Sequence, residues 1–233
     1  EQTRHCGEIV YFKDRLFVSI RHNQEKGCRD SIRAINPSTG EVLWESKKYD
    51  GYPGYHRQHN NPTVTMGDDR LFFLGKDRMI CLSLENGKEL WTSKFANPSP
   101  DKNTNNSIVR PQLAKWRSSR LSGLIYRDGI VFLLNQFAEP CLSALDAQTG
   151  KALWQAHRRP VSCGTATAMF IAQDLLWVLD GPRKLCGLDL KTGVNRKEYD
   201  IAKAYVGGHI RCYPDKGSAN YLWTTVGGKP QQT

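Results

Sequence analysis

The sequence predicts an all-β protein built from repeated β-propeller blades. A short turn motif recurs four times, and its glycines are Gly40, Gly87, Gly150 and Gly193. The intervals between these glycines are 47, 63 and 43 residues, and two of them match the ~40–50 residues of a propeller blade. Strand-like apolar runs precede each motif, and residues typical of hairpin turns precede the runs.

In three copies of the motif a tryptophan follows four residues after the glycine, giving Trp44, Trp91 and Trp154, whereas the fourth copy has Lys197. Glycine suits this position because a tight turn requires a positive φ there. Burying one tryptophan removes about 150–250 Å² from water, so these rings are expected to hold neighbouring blades together and not to contact a ligand.

The elements of each blade follow in order. Apolar runs at residues 71–74, 130–134 and 175–179 indicate buried strands, and hairpin turns are predicted just before them at 67–70, 127–129 and 173–174. A third strand leads into the glycine turn, and the fourth contains the tryptophan. The resulting four-stranded blades are predicted at approximately 7–50, 58–96, 122–160 and 164–201.

The longest interval contains an insertion at residues 97–121. A partial fifth blade is expected at 205–227, with a strand near 221–226 and no third or fourth strand after it. Four and a half blades would leave a long open sheet edge, which proteins avoid. The chain is therefore expected to be part of a longer ring, or to close a ring with a second chain, and a compact, distorted four-bladed ring is the less favoured alternative.

The composition is that of a folded globular protein and not of a disordered or membrane-spanning one. With 39% hydrophobic and 24% charged residues the chain resembles a folded globular protein, and no apolar run approaches the ~18 residues of a membrane span. The net charge of +10 favours anionic partners.

The seven cysteines are scattered singly, so no haem-attachment motif exists. Three of them (Cys81, Cys141, Cys186) fall in apolar strands, and the pairing of the others is left open.

The segment at residues 145–154, Leu-Asp-Ala-Gln-Thr-Gly-Lys-Ala-Leu-Trp, resembles the tryptophan-docking repeat of the PQQ-like, quinoprotein-type propellers. The resemblance covers roughly residues 7–200, and residues 205–213 resemble a segment of exported bacterial proteins with such repeats. It implies a ring of eight blades in the periplasm, outside the cell or on its surface. The family includes both quinoprotein dehydrogenases and a non-enzymatic outer-membrane assembly propeller.

The dehydrogenases of this family bind PQQ with Ca²⁺, a vicinal disulfide and a catalytic Asp. No two cysteines are adjacent in this chain, and its acidic residues are mostly explained by turns and repeat loops. We therefore expect no cofactor, and PQQ with Ca²⁺ is retained as the alternative. Catalytic residues cannot be assigned from the sequence.

Three segments depart from the repeat and are candidate ligand sites. His56 and His59 lie three apart and could bind a metal, but no third ligand has a clear spacing, so a polar loop is favoured and no metal is predicted. In the insertion and its continuation, basic and aromatic residues suit phosphate or sulfate groups. These residues are Arg110, Trp116, Arg117 and Arg120.

In the third segment, His209 and Arg211 lie on the same side of an extended stretch that is expected to line the central channel, where they could bind an anion. The alternatives for the last two segments are a solvated loop and a water-filled channel. The leading functional prediction is a non-catalytic binding or scaffold propeller for a protein, an anionic polymer or a small anion. A fragment of an alcohol- or sugar-oxidising PQQ dehydrogenase is the alternative, and nucleic acid is not an expected partner.

Overall fold

The computed structural model describes residues 4–24, 27–51, 64–75, 77–94, 122–135, 140–157, 169–180, 184–200, 216–217, 222–226 and 229–232. Every regular element in these ranges is a β-strand, and the strands form antiparallel sheets in which sequence neighbours pair. This arrangement confirms the predicted fold class of β-propeller blades.

The first four sheets are blades 1 to 4. Blade 1 consists of β1 (Arg4–Phe12), β2 (Arg15–Gln24), β3 (Gly27–Ile35) and β4 (Val42–Glu45), and β5 (Tyr49–Asp50) also pairs with β3. Blade 2 consists of β6 (Val64–Gly67), β7 (Arg70–Leu74), β8 (Arg78–Ser83) and β9 (Glu89–Lys94). Blade 3 consists of β10 (Ser122–Arg127), β11 (Ile130–Asn135), β12 (Leu142–Asp146) and β13 (Ala152–Ala156). Blade 4 consists of β14 (Met169–Ala172), β15 (Leu175–Asp180), β16 (Lys184–Asp189) and β17 (Asn195–Asp200).

The fifth sheet contains β18 (Lys216–Gly217), β19 (Leu222–Val226) and β20 (Lys229–Gln232). The strand predicted near 221–226 is present, but the prediction that no third strand follows it was wrong. In the register of this hairpin Val226 pairs with Lys229, so only Gly227 and Gly228 separate the two strands. A Gly-Gly pair favours a two-residue hairpin, so Gly227-Gly228 is a sequence signal for a strand after β19. The predicted insertion at 97–121 lies outside the described residues.

A β-bulge recurs in the last strand of each blade. In blade 2, Trp91 pairs with Cys81 and Glu89 pairs with Leu82, so Leu90 is the extra residue. The same shift occurs before Trp44 and Trp154 and before Lys197. A bulge inserts one extra residue into a strand. Residues two apart on either side of the bulge therefore lie on opposite faces, and residues three apart lie on the same face.

The chain divides into two compact units. Unit 1 comprises Glu1–Phe95 with Tyr126–Val131 and Asp146–Lys151, and unit 2 comprises the remainder. The core of unit 1 joins blades 1 and 2, and its fully buried members include Ile32, Ala34, Leu71, Phe73 and Ile80. In unit 2, Trp177 packs with Leu175 and Leu185 inside blade 4.

The repeat tryptophans link neighbouring blades within each unit. The indole Nε1 of Trp44 donates to the carbonyl of Leu84 at 3.1 Å, and that of Trp91 donates to Ala147 at 3.0 Å. In unit 2, Trp154 donates to Leu190 at 2.9 Å. The four turn glycines have φ between +70° and +74°, a conformation that disfavours residues with a Cβ.

Candidate anion-binding groove in unit 1

The eight ligand-binding residues predicted from the sequence lie outside the described residues, so they stay predictions. They are His56, His59, Arg110, Trp116, Arg117, Arg120, His209 and Arg211. The described part of the chain contains a different candidate, a groove in unit 1 where β3 and β5 of blade 1 face β8 and β9 of blade 2.

This groove has a volume of about 300 Å³ and a predominantly basic lining. Its charged lining residues are four cations, Arg29, Lys47, Lys48 and Arg78, and two carboxylates, Asp50 and Glu89. Cations therefore outnumber carboxylates by two around a small concave surface. Such an excess attracts anionic groups, and a concave surface focuses the attraction.

The blade 2 side of the groove is set by strand register. Arg78 and Ile80 lie two apart on β8 and therefore share a face. Thr92 pairs with Ile80, and Glu89 pairs with Leu82. Glu89 and Thr92 are three apart and would lie on opposite faces of a regular strand, but the bulge at Leu90 brings both to the groove.

On the blade 1 side, the outer strand is interrupted between β4 and β5. Ser46 bridges the interruption because its backbone N–H donates to the Ile32 carbonyl at 2.9 Å and its Oγ accepts from the Ile32 N–H at 3.0 Å. Pairing then resumes with Tyr49 opposite Asp30 and Asp50 opposite Arg29. Lys47 and Lys48 lie in the interruption, which places both cations on the groove.

The ion pairs of the groove leave it with accessible positive charge. Lys47 Nζ lies 2.8 Å from a Glu89 carboxylate oxygen and joins the two blades. Arg29 and Asp50 are 3.7 Å apart, and their side chains are 51% and 78% exposed. Exposed pairs of this kind contribute only about 0–1 kcal/mol. Lys48 has no partner among the described residues.

Tyr49 forms the floor of the groove. Its side chain packs edge-on against Phe73, and Lys47 Nζ lies 5.1 Å from its ring centroid. The residue is only 8% exposed, and its hydroxyl lies near the Glu89 carboxylate without a hydrogen bond of ordinary geometry. Burial and the nearby Glu89 carboxylate raise the pKa of Tyr49. Burial alone would raise the pKa of Glu89, but Lys47 and the Tyr49 hydroxyl outweigh it and hold that pKa below its usual value.

A buried polar network supports β3 next to the groove. The Arg21 guanidinium binds Asp30 through two bonds of 2.9 Å, and Asp30 is 1% exposed. On the opposite face of β3, Ser31 Oγ donates to Glu45 and lies 2.9 Å from His22 Nε2. This second cluster is unsuited to nucleophilic catalysis because Ser31 is fully buried and its proton is directed to Glu45.

Chemically, the groove is equipped to bind an anion through guanidinium, ammonium and hydroxyl donors. No group of three His, Cys, Asp or Glu side chains that could hold a metal ion occurs in the ranges that the structure describes. No helix suited to crossing a membrane occurs in the same ranges. The side chains of Cys81, Cys141 and Cys186 are buried, as their apolar strand positions predict.

Sequence reasoning missed this groove because its four cations are scattered between residues 29 and 78 without a recognisable spacing. They converge only through the pairing of β3 with β5 and the packing of blade 1 on blade 2. The adjacent pair Lys47-Lys48, placed just after the strand that contains Trp44, is the one local signal that could have indicated it.

Comparison with known proteins defines the family. A family model described as outer membrane protein assembly factor BamB matches residues 29–216, which is most of the chain. No curated protein sequence matches the chain closely enough to indicate a relationship.

Among solved structures, BamB from Moraxella catarrhalis shares 14% sequence identity and a TM-score of 0.56 over 96% of this chain and 57% of that one. The computationally designed Ika8 protein shares 10% identity and a TM-score of 0.53 over 97% of this chain and 69% of its own. A quinohemoprotein alcohol dehydrogenase from Pseudomonas putida HK5 has a TM-score of 0.48 at 14% identity, over 83% of this chain and 34% of its own.

At these identities the structural likeness shows the fold alone, and the chain spans little more than half the length of the BamB structure. The family assignment therefore depends on the sequence model and on the repeated blades with their glycine turns and tryptophans. The chain belongs to the family of PQQ-like repeat propellers whose model is described as outer membrane protein assembly factor BamB.

Proposed function

We propose that this chain is a non-catalytic propeller module that binds or scaffolds a protein or anionic partner in an exported compartment. The observation that carries the proposal is the basic groove of unit 1, where four cations and two carboxylates surround the buried Tyr49. Blades with buried cores hold the groove residues in place, and rigid scaffolds of this kind suit binding sites.

The family supports the compartment and the kind of partner. Its description names an outer membrane protein assembly factor, and that name connects the family with the outer membrane and with proteins as partners. The net charge of +10 adds a long-range attraction for acidic surfaces. We extend both features to this chain as part of the proposal, and they name no individual partner.

A direct test is to titrate the chain into fluorescein-labelled poly-glutamate and to follow fluorescence anisotropy at several salt concentrations. The proposal predicts saturable binding that weakens as salt is added, and no binding of labelled poly-lysine under the same conditions. If poly-glutamate fails to bind at low salt, or if poly-lysine binds equally well, an anion-binding role is wrong.

A fragment of a PQQ dehydrogenase is the competing prediction. The described residues contain no group of three His, Cys, Asp or Glu side chains that could hold a metal ion. Adding PQQ and Ca²⁺ and measuring dye-linked oxidation of alcohols and sugars separates the two functions. Turnover with stoichiometric bound quinone would replace our proposal with the enzyme.

A further inference from the structure

We infer that the groove of unit 1 binds an acidic, extended peptide segment of a partner protein, an inference that is based on the proposed function and names its ligand. The groove is small, at about 300 Å³, which suits a few side chains better than a folded domain. The inference rests on three properties of the groove, namely its accessible cations, its own carboxylates and the strand edge beside it.

The cations that can reach a ligand are Arg29, Lys48 and Arg78. Arg29 is half-exposed, and its ion pair among the described residues is the loose 3.7 Å contact with Asp50, which a ligand carboxylate can replace at little cost. Lys48 is exposed and has no partner among the described residues. Arg78 binds Asp77 at 2.8 Å while its side chain stays 37% exposed. Guanidinium groups suit carboxylates because their N–H groups match the two oxygens.

The carboxylates of the groove favour a ligand with spaced acidic residues over a continuous polyanion such as poly-glutamate, which is expected to bind more weakly. Asp50 and Glu89 lie among the cations, so a chain of closely spaced sulfates or phosphates would place some of its charges against them. Like charges in contact cost binding energy and are a common source of specificity. A peptide avoids this repulsion because neutral residues can separate its acidic ones.

The edge of blade 2 suits an extended ligand. In the described chain β9 pairs only with β8, so the outer edge of Glu89–Lys94 offers backbone groups to an added strand. Binding of a peptide along such an edge gives affinity through backbone hydrogen bonds, and side-chain pockets give specificity. Because side chains alternate along a strand, every second residue of the ligand would face the groove.

The experiment uses the full chain and a fluorescein-labelled peptide of alternating glutamate and threonine, with a lysine–threonine peptide as the probe control. The double variant Arg29→Ala/Lys48→Ala removes two groove cations, and Arg127→Ala/Lys151→Ala removes an arginine and a lysine of unit 1 that are exposed and do not line the groove. We expect the groove variant to lose about fivefold in affinity and the control variant less than about twofold. Equal losses would show general charge attraction and would overturn the groove assignment while leaving the proposed function intact.

A variant with the opposite expected sign excludes misfolding as the explanation. Asp50→Asn removes a carboxylate of the groove and should increase the affinity for the acidic peptide about twofold, a gain that a damaged fold would not produce. Unchanged or weaker binding by Asp50→Asn contradicts the inference.

A competition experiment with heparin distinguishes the peptide from a sulfated polymer. If heparin binds more tightly than the peptide and its binding also requires Lys48, the ligand is a sulfated polymer and the peptide assignment is wrong.

Discussion

The indole ring of Trp44 occupies the space next to Gly87 in which a side chain at position 87 would begin. A Cβ at Gly87 would lie 2.5 Å from Cε3 of Trp44, and Gly87 has a φ of +70°. The same relationship joins Gly150 to Trp91 at 2.6 Å and, in unit 2, Gly193 to Trp154 at 2.6 Å. The glycine of each motif thus serves the turn of its own blade and receives the tryptophan of the preceding one.

The first prediction separates these two roles of the glycine. Gly87→Ala should lower the free energy of unfolding by about 2–4 kcal/mol. The left-handed φ disfavours any residue with a Cβ, and the new methyl group would clash with the Trp44 ring. Gly40→Ala is the matched control, since Gly40 has a φ of +74° but nothing within 4 Å of its Cβ position. Its expected cost is only about 1 kcal/mol. Guanidinium unfolding of both variants measures the difference, and equal costs would show that contact with Trp44 adds nothing.

The second prediction concerns Trp91, whose ring packs against Phe72 at a centroid distance of 5.8 Å and whose Nε1 donates to Ala147. Trp91→Ala should cost about 3 kcal/mol, because it creates a cavity and leaves a carbonyl without its donor.

The neighbouring residue Leu90 is the control for this variant. It is the bulge residue of β9 and is 47% exposed, so Leu90→Ala should cost less than about 1 kcal/mol. The midpoints of urea unfolding compare the two variants. A loss for Leu90→Ala as large as that for Trp91→Ala would contradict the assignment of Trp91 as the link between the blades.

The fold could be predicted because the signals of the repeat lie close together in the sequence. Each glycine turn, apolar run and tryptophan follows the preceding element within one blade, and buried strands require β-branched, leucine or aromatic residues whatever their partners. The hairpin at Lys13-Asp14 shows the limit of this reasoning. Both residues have positive φ, as Gln173 and Asp174 do, but the sequence predicts a turn only at the second of these two pairs.

The groove could not be predicted because it depends on register and on contacts distant in sequence. Lys47 meets Glu89 across 42 residues, and Glu89 faces the groove only because Leu90 is bulged. A one-residue shift in register moves every side chain to the other face, and local patterns do not fix that shift. Blade 4 has Lys197 at the position of the repeat tryptophan. Within this blade, Trp177 of β15 stacks on Phe170 and on Tyr199.

The third prediction tests the buried pair behind the groove. Asp30→Ala should destabilise the chain by about 3–5 kcal/mol, because it leaves the Arg21 guanidinium buried without the carboxylate that binds it. The double variant Arg21→Met/Asp30→Leu removes both charges and should recover most of that loss. Thermal and urea unfolding of the single and double variants form the comparison. If the double variant is as unstable as Asp30→Ala, the cost comes from lost packing and not from the loss of the Asp30 carboxylate beside the Arg21 guanidinium.

The fourth prediction concerns the pH dependence of stability through Glu45. Burial alone would raise the pKa of Glu45, but hydrogen bonds from Arg33 and Ser31 outweigh it and hold the pKa below its ordinary value of 4.5. A carboxyl with a lowered pKa in the folded state stabilises the fold fully above its unfolded pKa. That contribution is lost as the pH falls through the folded pKa.

The variant Glu45→Gln should therefore lose about 0.5–1 kcal/mol of stability near pH 7, because Arg33 binds the carboxylate at 2.7 Å while both side chains stay partly exposed. At a second, acidic pH the difference from the parent chain should be smaller, because the stabilisation by the carboxylate is lost as the pH falls through its lowered pKa. Glu41→Gln, at the exposed turn before β4, is the control and should leave stability nearly unchanged at both pH values. Urea unfolding at the two pH values provides the measurement, and a difference between Glu45→Gln and the parent that stays constant with pH would contradict the assigned role of the Arg33–Glu45 pair.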